Sequence, residues 1–243
     1  MKKLAFLLSL LLIVVPTQGF AQSSSDNHVS KDQIDKILSI YQNVSKQEIM
    51  KEINQTSKAL GISKGKVADQ MYSELKEQQD LAAKEEPIRI ASPGSGGTTV
   101  IDSSTKGNIF YETAATALIE HGHVGMYYTA DTLVESVPSY GVRSLNRSNK
   151  KVGEGARIMT VSNTTSTEKN SSANWAYNRI GESYSYNFAT NRLTSCTGDK
   201  NCSKLVWCAW KNVTGLDLDS NGGLGVYPKD IRDHSRVTAI KYY

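Results

Sequence analysis

Histidine and cysteine are scarce in this sequence, which has four histidines and three cysteines among 243 residues. The cysteines stand six residues apart, at Cys196, Cys202 and Cys208, without the C-x-x-C pair that structural zinc sites use. An excess of one charge is also lacking, because 28 basic and 24 acidic residues leave a net charge of +4. No dense basic patch marks a nucleic-acid binder. We therefore expect no metal or other cofactor and no nucleic-acid partner; the sequence predicts no oligomeric state.

Long apolar runs are lacking beyond the start of the chain. Lys2 and Lys3 precede an apolar run at residues 4–15, and Gly19-Phe20-Ala21 supplies the small-x-small pattern that signal peptidases cut. The run is shorter than the roughly 20 residues that span a bilayer. Residues 1–21 are therefore predicted to be a signal peptide. We expect the mature protein to be secreted, extracellular or cell-wall associated, and soluble without stable membrane insertion.

An exported chain can keep disulfides, and an odd number of cysteines leaves at least one thiol over within the chain. If residues 202–213 are helical, Cys202 and Cys208 are separated by about 9 Å of axial rise, beyond the usual reach of a bridge. The internal bridge that spares Cys202 is therefore Cys196 to Cys208. The sequence leaves open whether these two are bridged or merely buried.

Two capping boxes predict a helical N-terminal region. Ser30 with Gln33, and Ser45 with Glu48, have the spacing at which a serine and a Glu or Gln satisfy the first free amides of a helix. Apolar residues at helical spacing follow both boxes, and a third periodic stretch comes next. Residues 22–90 are therefore predicted to be helical. Two interpretations stay open: a helical hairpin packed on the main domain, or a pro-segment that covers the active site until it is removed.

A segment rich in Gly, Ser and Thr at residues 91–99 predicts a flexible linker and a domain boundary. Beyond it, β-branched and aromatic runs predict strands at residues 123–128, 132–137 and 237–243. The first two are separated by a length suited to a hairpin loop. Helices are predicted at residues 112–121, 172–179 and 202–213. Residues 100–243 are therefore predicted to form an α+β domain with a mainly antiparallel sheet.

Cys202 is a candidate nucleophile because of its place at a predicted helix start. It follows Asn201, a good N-cap residue, and the helix is expected to end near Gly215. Apolar residues three, four, seven and eleven positions further on place Cys202 at the head of the buried face. The amides and partial positive charge of a helix start favour a thiolate and can hold an oxyanion. The alternative is a cysteine that is packed in the core or bridged.

A thiolate nucleophile requires a base, and the four histidines are the candidates. His28 and His234 lie near the two ends of the chain, whereas His121 and His123 flank a glycine at the entry to a predicted strand. Only His123 is followed directly by regular strand alternation, so it is the preferred base. Glu135 lies on the next predicted strand, where a carboxylate can hold the second imidazole nitrogen and fix its tautomer.

Four blocks of sequence occur here in the order of a known family: residues 122–127 (GHVGMY), 133–138 (LVESVP), 181–184 (GESY) and 202–207 (CSKLVW). Over roughly residues 100–243 the chain resembles the YiiX-like permuted papain-fold hydrolases, which are NlpC-related and in which the histidine precedes the cysteine. The resemblance implies Cys202 as nucleophile, His123 as base and Glu135 as the residue that orients it. It also implies that Tyr184 lines the substrate site, a part that Tyr186 could equally play.

The resemblance further implies a permuted papain-like cysteine hydrolase that cleaves amide bonds through an acyl-enzyme, with peptidoglycan peptides or N-acyl amides as substrate. An esterase or acyltransferase on the same fold would use the same residues. The alternative from a different class is a non-enzymatic cell-surface interaction protein, in which Cys202 is locked in a disulfide.

Two positions depart from the pattern of the YiiX-like family. Lys204 stands where the family carries Glu, which is expected to change the charge near the cleft, and residues 107–109 read Gly-Asn-Ile where the family has Gly-Asp-Ile.

Residues 217–222 match the first half of an EF-hand loop. However, Pro228 stands where that loop needs a bidentate glutamate, so turn formation explains the composition and calcium is not expected.

Overall fold

The computed structural model of the chain describes residues 28–41, 44–84, 97–113, 115–116, 119–120 and 122–243. The predicted signal peptide at residues 1–21, residues 91–96 of the predicted linker, and His121 lie outside the described residues. Within the described ranges, none of the helices combines the length and the hydrophobicity that crossing a bilayer requires.

Three helices form the N-terminal region: α1 (Lys31–Ile40), α2 (Lys46–Leu60) and α3 (Lys64–Lys84). Both capping boxes are confirmed, because the Ser30 and Ser45 side chains accept the amides of Gln33 and Glu48, whose own side chains accept the serine amides. The apolar residues of the three helices face a shared interior. The most deeply buried of them are Ile34, Ile37, Ile49, Ile53, Val67, Ala68, Met71 and Leu75.

These helices pack on the rest of the protein and share one hydrophobic core with it. The Glu74 carboxylate of α3 accepts hydrogen bonds from the backbone amides of Leu224, at 2.7 Å, and Gly225, at 3.0 Å. The Tyr41 hydroxyl, just after α1, accepts the Phe188 amide at 2.7 Å and donates to the Tyr186 carbonyl. These contacts fix the helices on the rest of the protein, as both interpretations of residues 22–90 require.

The remaining strands and helices form an α+β fold, as predicted. In chain order the strands are β1 (Thr99–Val100), β2 (Ile109–Glu112), β3 (Ala115–Thr116), β4 (Ile119–Glu120), β5 (His123–Tyr127), β6 (Thr132–Val137), β7 (Gly141–Asn146), β8 (Lys151–Val152), β9 (Arg157–Val161) and β10 (Val237–Tyr242). The helices are α4 (Ser166–Tyr177), α5 (Cys202–Thr214) and α6 (Pro228–Asp233). The main sheet has the order β10-β9-β2-β5-β6-β7, and every neighbouring pair is antiparallel. Two short pairs, β1 with β8 and β3 with β4, stand apart from it.

The helix predicted at residues 112–121 is wrong. Glu112 ends β2, which is hydrogen-bonded to β5 on one side and to β9 on the other. Within the predicted range, Ala115–Thr116 and Ile119–Glu120 pair with each other as β3 and β4, so strand pairing overrides the helical pattern of the sequence. The predicted linker at residues 91–99 ends before residue 99, because Thr99 pairs with Val152 in the β1–β8 ladder.

The helix predicted at residues 172–179 begins six residues earlier, at Ser166. Its start is fixed by a third capping box, in which Thr165 and Glu168 bond each other's backbone amides. Helix α5 agrees with its predicted range and packs against β5 and β6, with α4 beside it. Gly215 ends α5 with φ +74°, a left-handed conformation that residues other than glycine rarely adopt.

Candidate active site

Cys202 is the first residue of α5, and its neighbours fix that helix start. The Asn201 side chain accepts the Lys204 amide at 2.9 Å, as the N-cap prediction requires. Asn201 is itself held, because it accepts a hydrogen bond from Asn191 at 3.2 Å and donates to the Asn187 carbonyl at 2.8 Å. Cys202, a residue that is 2% exposed, therefore occupies a well-supported position beside the free amides of the helix.

The cysteine pairing that spares Cys202 is the one in the structure. Cys196 and Cys208 form a disulfide with a Cα–Cα distance of 5.6 Å. Cys202 is a free thiol. The alternative in which Cys202 is itself bridged therefore does not hold for this structure.

His123 begins β5, and it follows a position that requires glycine. Gly122 has φ +78°, and a side chain there would run into the Tyr111 ring at 2.3 Å. The His123 Nε2 atom lies 2.9 Å from Glu135 Oε2, and Cys202 is among the neighbours whose charge and hydrogen bonding raise the pKa of His123. Because Nε2 is engaged by Glu135, the second nitrogen, Nδ1, is left for the thiol. The structure thus brings His123 into contact with Glu135 and places Cys202 in the electrostatic surroundings of the same imidazole.

Glu135 is wholly buried and is surrounded by cations. Its Oε1 atom accepts from Arg143 Nη2 at 2.6 Å and Nε at 3.0 Å, and its Oε2 atom accepts from Lys150 Nζ at 3.0 Å as well as from His123. Lys150 also pairs with Glu112. Strand register explains the cluster: Glu112 lies opposite His123, and Glu135 lies opposite Arg143. A buried carboxylate is tolerable only with such partners.

The charges of the cluster favour a protonated imidazole and an ionised carboxylate. Burial and the positive charge of Lys150 oppose protonation of His123, but the negative charge of Cys202 and the hydrogen bonds to Cys202 and Glu135 outweigh them and raise the pKa of His123 to about 9. Burial would raise the pKa of Glu135, yet Lys150, His123 and Arg143 bring it well below its usual range. Glu135 therefore stays ionised at neutral pH.

Tyr184, the predicted lining residue, lies within electrostatic range of the thiol. Burial raises the pKa of Tyr184, and the negative charge of Cys202 raises it further. Its ring meets that of Tyr186 edge to face, with centroids 5.0 Å apart. Tyr186 is 41% exposed. Of the two candidates, Tyr184 is thus the one that the structure places in the electrostatic surroundings of Cys202.

Two other features of the sequence have structural explanations. The Lys204 side chain is buried, with Nζ 2.9 Å from the Thr194 carbonyl and 4.6 Å from the centre of the Trp207 ring. Burial lowers the pKa of Lys204 to about 8. In the loop at residues 217–222, Asp217 and Asp219 both pair with Arg192. Across the ranges that the structure describes, no three His, Cys, Asp or Glu side chains are grouped as a metal would require.

Sequence reasoning missed Glu112, Arg143 and Lys150, which surround Glu135. Arg143 could have been found from the turn at residues 138–140. Counting outward from the pair Val137 and Gly141 places Arg143 directly across from Glu135. Lys150 carries no such signal, because it reaches Glu135 from a loop residue before β8. Of the histidines not chosen, His28 is exposed, and His234 accepts the Arg236 amide at 3.1 Å.

Fold and site together define an α+β protein in which a helix-start cysteine, a strand histidine and a buried glutamate adjoin. The sequence is 43% identical over 209 residues to the uncharacterized protein YycO of Bacillus subtilis (strain 168), covering 85% of this chain and 84% of YycO. The chain therefore belongs to the same family as YycO. No family model matches it. Among solved structures it is similar to the metalloprotein yiiX from Escherichia coli O157:H7, with a TM-score of 0.44 and 15% identity, over 58% of this chain and 98% of that chain.

Proposed function

We propose that the protein is a secreted cysteine hydrolase with a permuted papain-like catalytic domain, and that it cleaves amide bonds. Cys202 is the nucleophile, His123 the general base and acid, and Glu135 the residue that orients the imidazole. One observation carries the proposal: His123 Nε2 lies 2.9 Å from the buried Glu135 carboxylate, and the free Cys202 lies near enough for its charge to raise the pKa of the same imidazole. This is the relation of nucleophile, base and orienting group that covalent catalysis requires.

The first half of the reaction forms an acyl-enzyme. The Cys202 thiolate attacks the carbonyl carbon of the amide, and the carbonyl oxygen becomes an oxyanion beside the free amides at the start of α5. When the intermediate collapses, the carbon–nitrogen bond breaks and the leaving amine takes a proton from the His123 imidazolium. This leaves a thioester on Cys202 and a neutral imidazole at His123.

The second half of the reaction releases the acid. His123, now neutral, removes a proton from a water molecule that attacks the thioester carbonyl. The carbon–sulfur bond breaks, so that the carboxylic acid leaves and the thiolate and imidazolium are restored. Glu135 stays ionised throughout because Arg143 and Lys150 hold its charge, so it stabilises the imidazolium in both halves without itself taking a proton.

The substrate class is proposed from the family resemblance of the sequence blocks, which favours peptidoglycan peptides or N-acyl amides. Tyr184 is proposed to line the site that receives them. Export is proposed from the apolar run at residues 4–15. The Cys196–Cys208 disulfide supports it, because such bonds persist outside the reducing cytoplasm. An esterase or acyltransferase would use the same cysteine and histidine, and only the acceptor or leaving group would differ.

A non-enzymatic cell-surface interaction protein, with Cys202 locked in a disulfide, is disfavoured by the free thiol. Thiol labelling of the folded protein separates the two classes. A single fast-reacting cysteine that is abolished in Cys202→Ala supports the enzyme. Absence of a free thiol at residue 202, with labelling in the unfolded protein only after a reductant is added, would favour the binding protein.

The function itself is tested by digestion of purified peptidoglycan, followed by mass spectrometry of the released fragments. The mature protein is expected to release fragments that each gain one water across an amide bond. Cys202→Ala removes the nucleophile and is the matched control. A parallel digest of an N-acyl amide and of the corresponding ester tests the alternatives on the same fold. Identical products from the wild-type protein and Cys202→Ala would refute the proposal.

A further inference from the structure

Tyr41, which directly follows α1, binds a segment that leads to the active site. Its hydroxyl accepts the Phe188 amide at 2.7 Å and donates to the Tyr186 carbonyl. The segment at residues 184–188 contains neither helix nor strand. Its backbone groups therefore need partners elsewhere in the protein, and its position depends on side-chain contacts such as these.

The same segment also binds the residue before the nucleophile. Asn201 Nδ2 donates to the Asn187 carbonyl at 2.8 Å. The other end of this side chain caps α5, because Asn201 Oδ1 accepts the Lys204 amide at 2.9 Å. One side-chain amide thus connects the segment to the helix start that carries Cys202.

The contacts of Tyr41 and Asn201 meet in a single peptide group. The Phe188 N–H that Tyr41 accepts and the Asn187 carbonyl that receives Asn201 belong to one planar trans peptide. Because this group is rigid, fixing its N–H also fixes its carbonyl. Hydrogen bonds that follow one another in this way also strengthen each other by polarisation.

Both ends of this connection are buried. Tyr41 is 6% exposed and Asn201 is wholly buried. Burial, with a further contribution from the charge of Glu52, raises the pKa of Tyr41 well above its usual value. The hydroxyl therefore keeps the proton that it donates to the Tyr186 carbonyl. Loss of the hydroxyl would leave buried backbone groups without this partner, and the segment would have to shift to satisfy them.

We propose that Tyr41 is a positioning residue for the nucleophile. Its hydroxyl holds the peptide group that supports Asn201, and Asn201 in turn sets the helix start at which Cys202 lies. The inference rests on the proposed hydrolase function and gives the N-terminal helices a part in it, since Tyr41 comes from the end of α1. Tyr184 lies on the same segment, so the same contact fixes the residue proposed to line the substrate site.

Titration of His123 by nuclear magnetic resonance tests the position of Cys202 without a substrate. Burial and Lys150 lower the pKa of His123, but the charge of Cys202 is prominent among the causes that raise it to about 9. Tyr41→Phe, made in the full chain, removes the hydroxyl and keeps the ring. We expect the pKa of His123 to fall by about 0.5 or more in this variant, because the attraction weakens as Cys202 moves away.

Turnover provides the second measurement. A displaced nucleophile reacts more slowly, so Tyr41→Phe is expected to lower kcat/KM for a cleaved amide by about 10-fold or more. Tyr243→Phe is the matched control. The Tyr243 hydroxyl also accepts a backbone amide at 2.7 Å, that of Asp102, but it lies beyond β10, which β9 and β2 separate from β5. This control is expected to keep both the His123 titration and the kcat/KM of the wild-type protein.

Asn201→Ser tests the route of the effect. Serine keeps an N-cap oxygen but lacks the amide that binds the Asn187 carbonyl. This variant alone is expected to lower the pKa of His123, and the addition of Tyr41→Phe to it is expected to change the pKa no further. Additive effects of the two substitutions, or an unchanged titration in Asn201→Ser, would overturn the positioning role, the latter even if Tyr41→Phe did not fold.

The two proposals fail in different ways. If both variants shift the His123 titration without additivity, but the wild-type protein cleaves no amide, the positioning role stands and the hydrolase function fails. If the wild-type protein cleaves amides and Tyr41→Phe matches Tyr243→Phe in titration and kcat/KM, the function stands and the positioning role fails. Thermal unfolding completes the comparison, because a lower melting temperature with unchanged titration and turnover would mark Tyr41 as purely structural.

Discussion

Glu135 and Arg143 lie directly opposite each other on β6 and β7, and both guanidinium contacts go to the same carboxylate oxygen, Oε1. The second oxygen, Oε2, is thereby left for His123 and Lys150. The carboxylate is thus fixed from one side by the neighbouring strand and offers its other side to the imidazole. Its orientation depends on sheet register rather than on a mobile loop, which favours a rigid site.

Glu135→Gln is expected to lower both activity and stability. The amide keeps the shape of the side chain but removes the charge that balances Arg143, Lys150 and a protonated His123. We expect kcat/KM to fall by about 100-fold or more, and the free energy of unfolding to fall by about 3 kcal/mol. Steady-state kinetics and denaturant unfolding measure the two effects. Glu154→Gln, at an exposed position, is the control, and equal behaviour of the two variants would contradict the role of Glu135.

His123 gives the activity an upper pH limit. Its pKa is raised to about 9, so the imidazole is protonated below that pH and neutral above it. Because the leaving amine takes its proton from the imidazolium, kcat/KM is expected to decline as the pH rises through about 9. The pH at which kcat/KM declines depends on Cys202, because the negative charge of Cys202 raises the pKa of His123. Nuclear magnetic resonance of the imidazole should therefore show a lower His123 pKa in Cys202→Ala, and an unchanged value would contradict the ion pair.

The helix starts and the hairpin of β5 and β6 were predictable, because only a few neighbouring residues determine each of them. Capping boxes at Ser30 and Ser45, and Asn201 before Cys202, need only a few neighbouring residues, and each is confirmed. The error at residues 112–121 has the opposite origin. Glu112 belongs to a strand because β5 and β9 flank β2 in the folded protein, which no local pattern reveals.

The residues of the candidate site were likewise predictable only where a local signal or the family resemblance pointed to them. Cys202, His123 and Glu135 were indicated by position and resemblance; in the structure His123 contacts Glu135, and Cys202 lies near enough to raise the pKa of His123. Lys150 was missed because its partner is distant in sequence. It reaches Glu135 from a position beyond β7. A buried ionisable residue looks like any surface charge until the packing around it is known.

The contacts of α1, α2 and α3 predict that the N-terminal helices are a permanent part of the folded protein. Deleting residues 22–96 would expose the apolar residues that these helices cover and remove the Glu74 and Tyr41 hydrogen bonds. We therefore expect a markedly lower melting temperature, or insoluble protein, because each fully buried isoleucine contributes roughly 1.5–3 kcal/mol. Thermal unfolding of the purified proteins measures the difference.

A single cut tests the opposing pro-segment interpretation. With a specific protease site placed between residues 86 and 96, cleavage is expected to leave the two pieces associated and the turnover unchanged. Size-exclusion chromatography and kinetics before and after cutting provide the comparison. Release of the helical piece together with a rise in turnover would support a removable pro-segment, as in the second interpretation of residues 22–90.

Glu52→Gln is expected to stabilise the protein, with an effect that grows with pH. Burial raises the pKa of Glu52 from 4.5 to about 8, so the folded state holds a proton that the unfolded state releases between these values. Stability from this residue is therefore fully present below pH 4.5 and is lost as the pH rises through 8, a change of the order of 4 kcal/mol. Glu48, Lys51, Tyr41 and Tyr227 are the ionisable groups coupled to it. Denaturant unfolding at pH 5 and pH 8 should show Glu52→Gln close to wild type at the lower pH and more stable at the higher one. Equal stability of the two proteins at pH 8 would contradict the prediction and would mean that the Glu52 carboxylate is solvated in the folded protein.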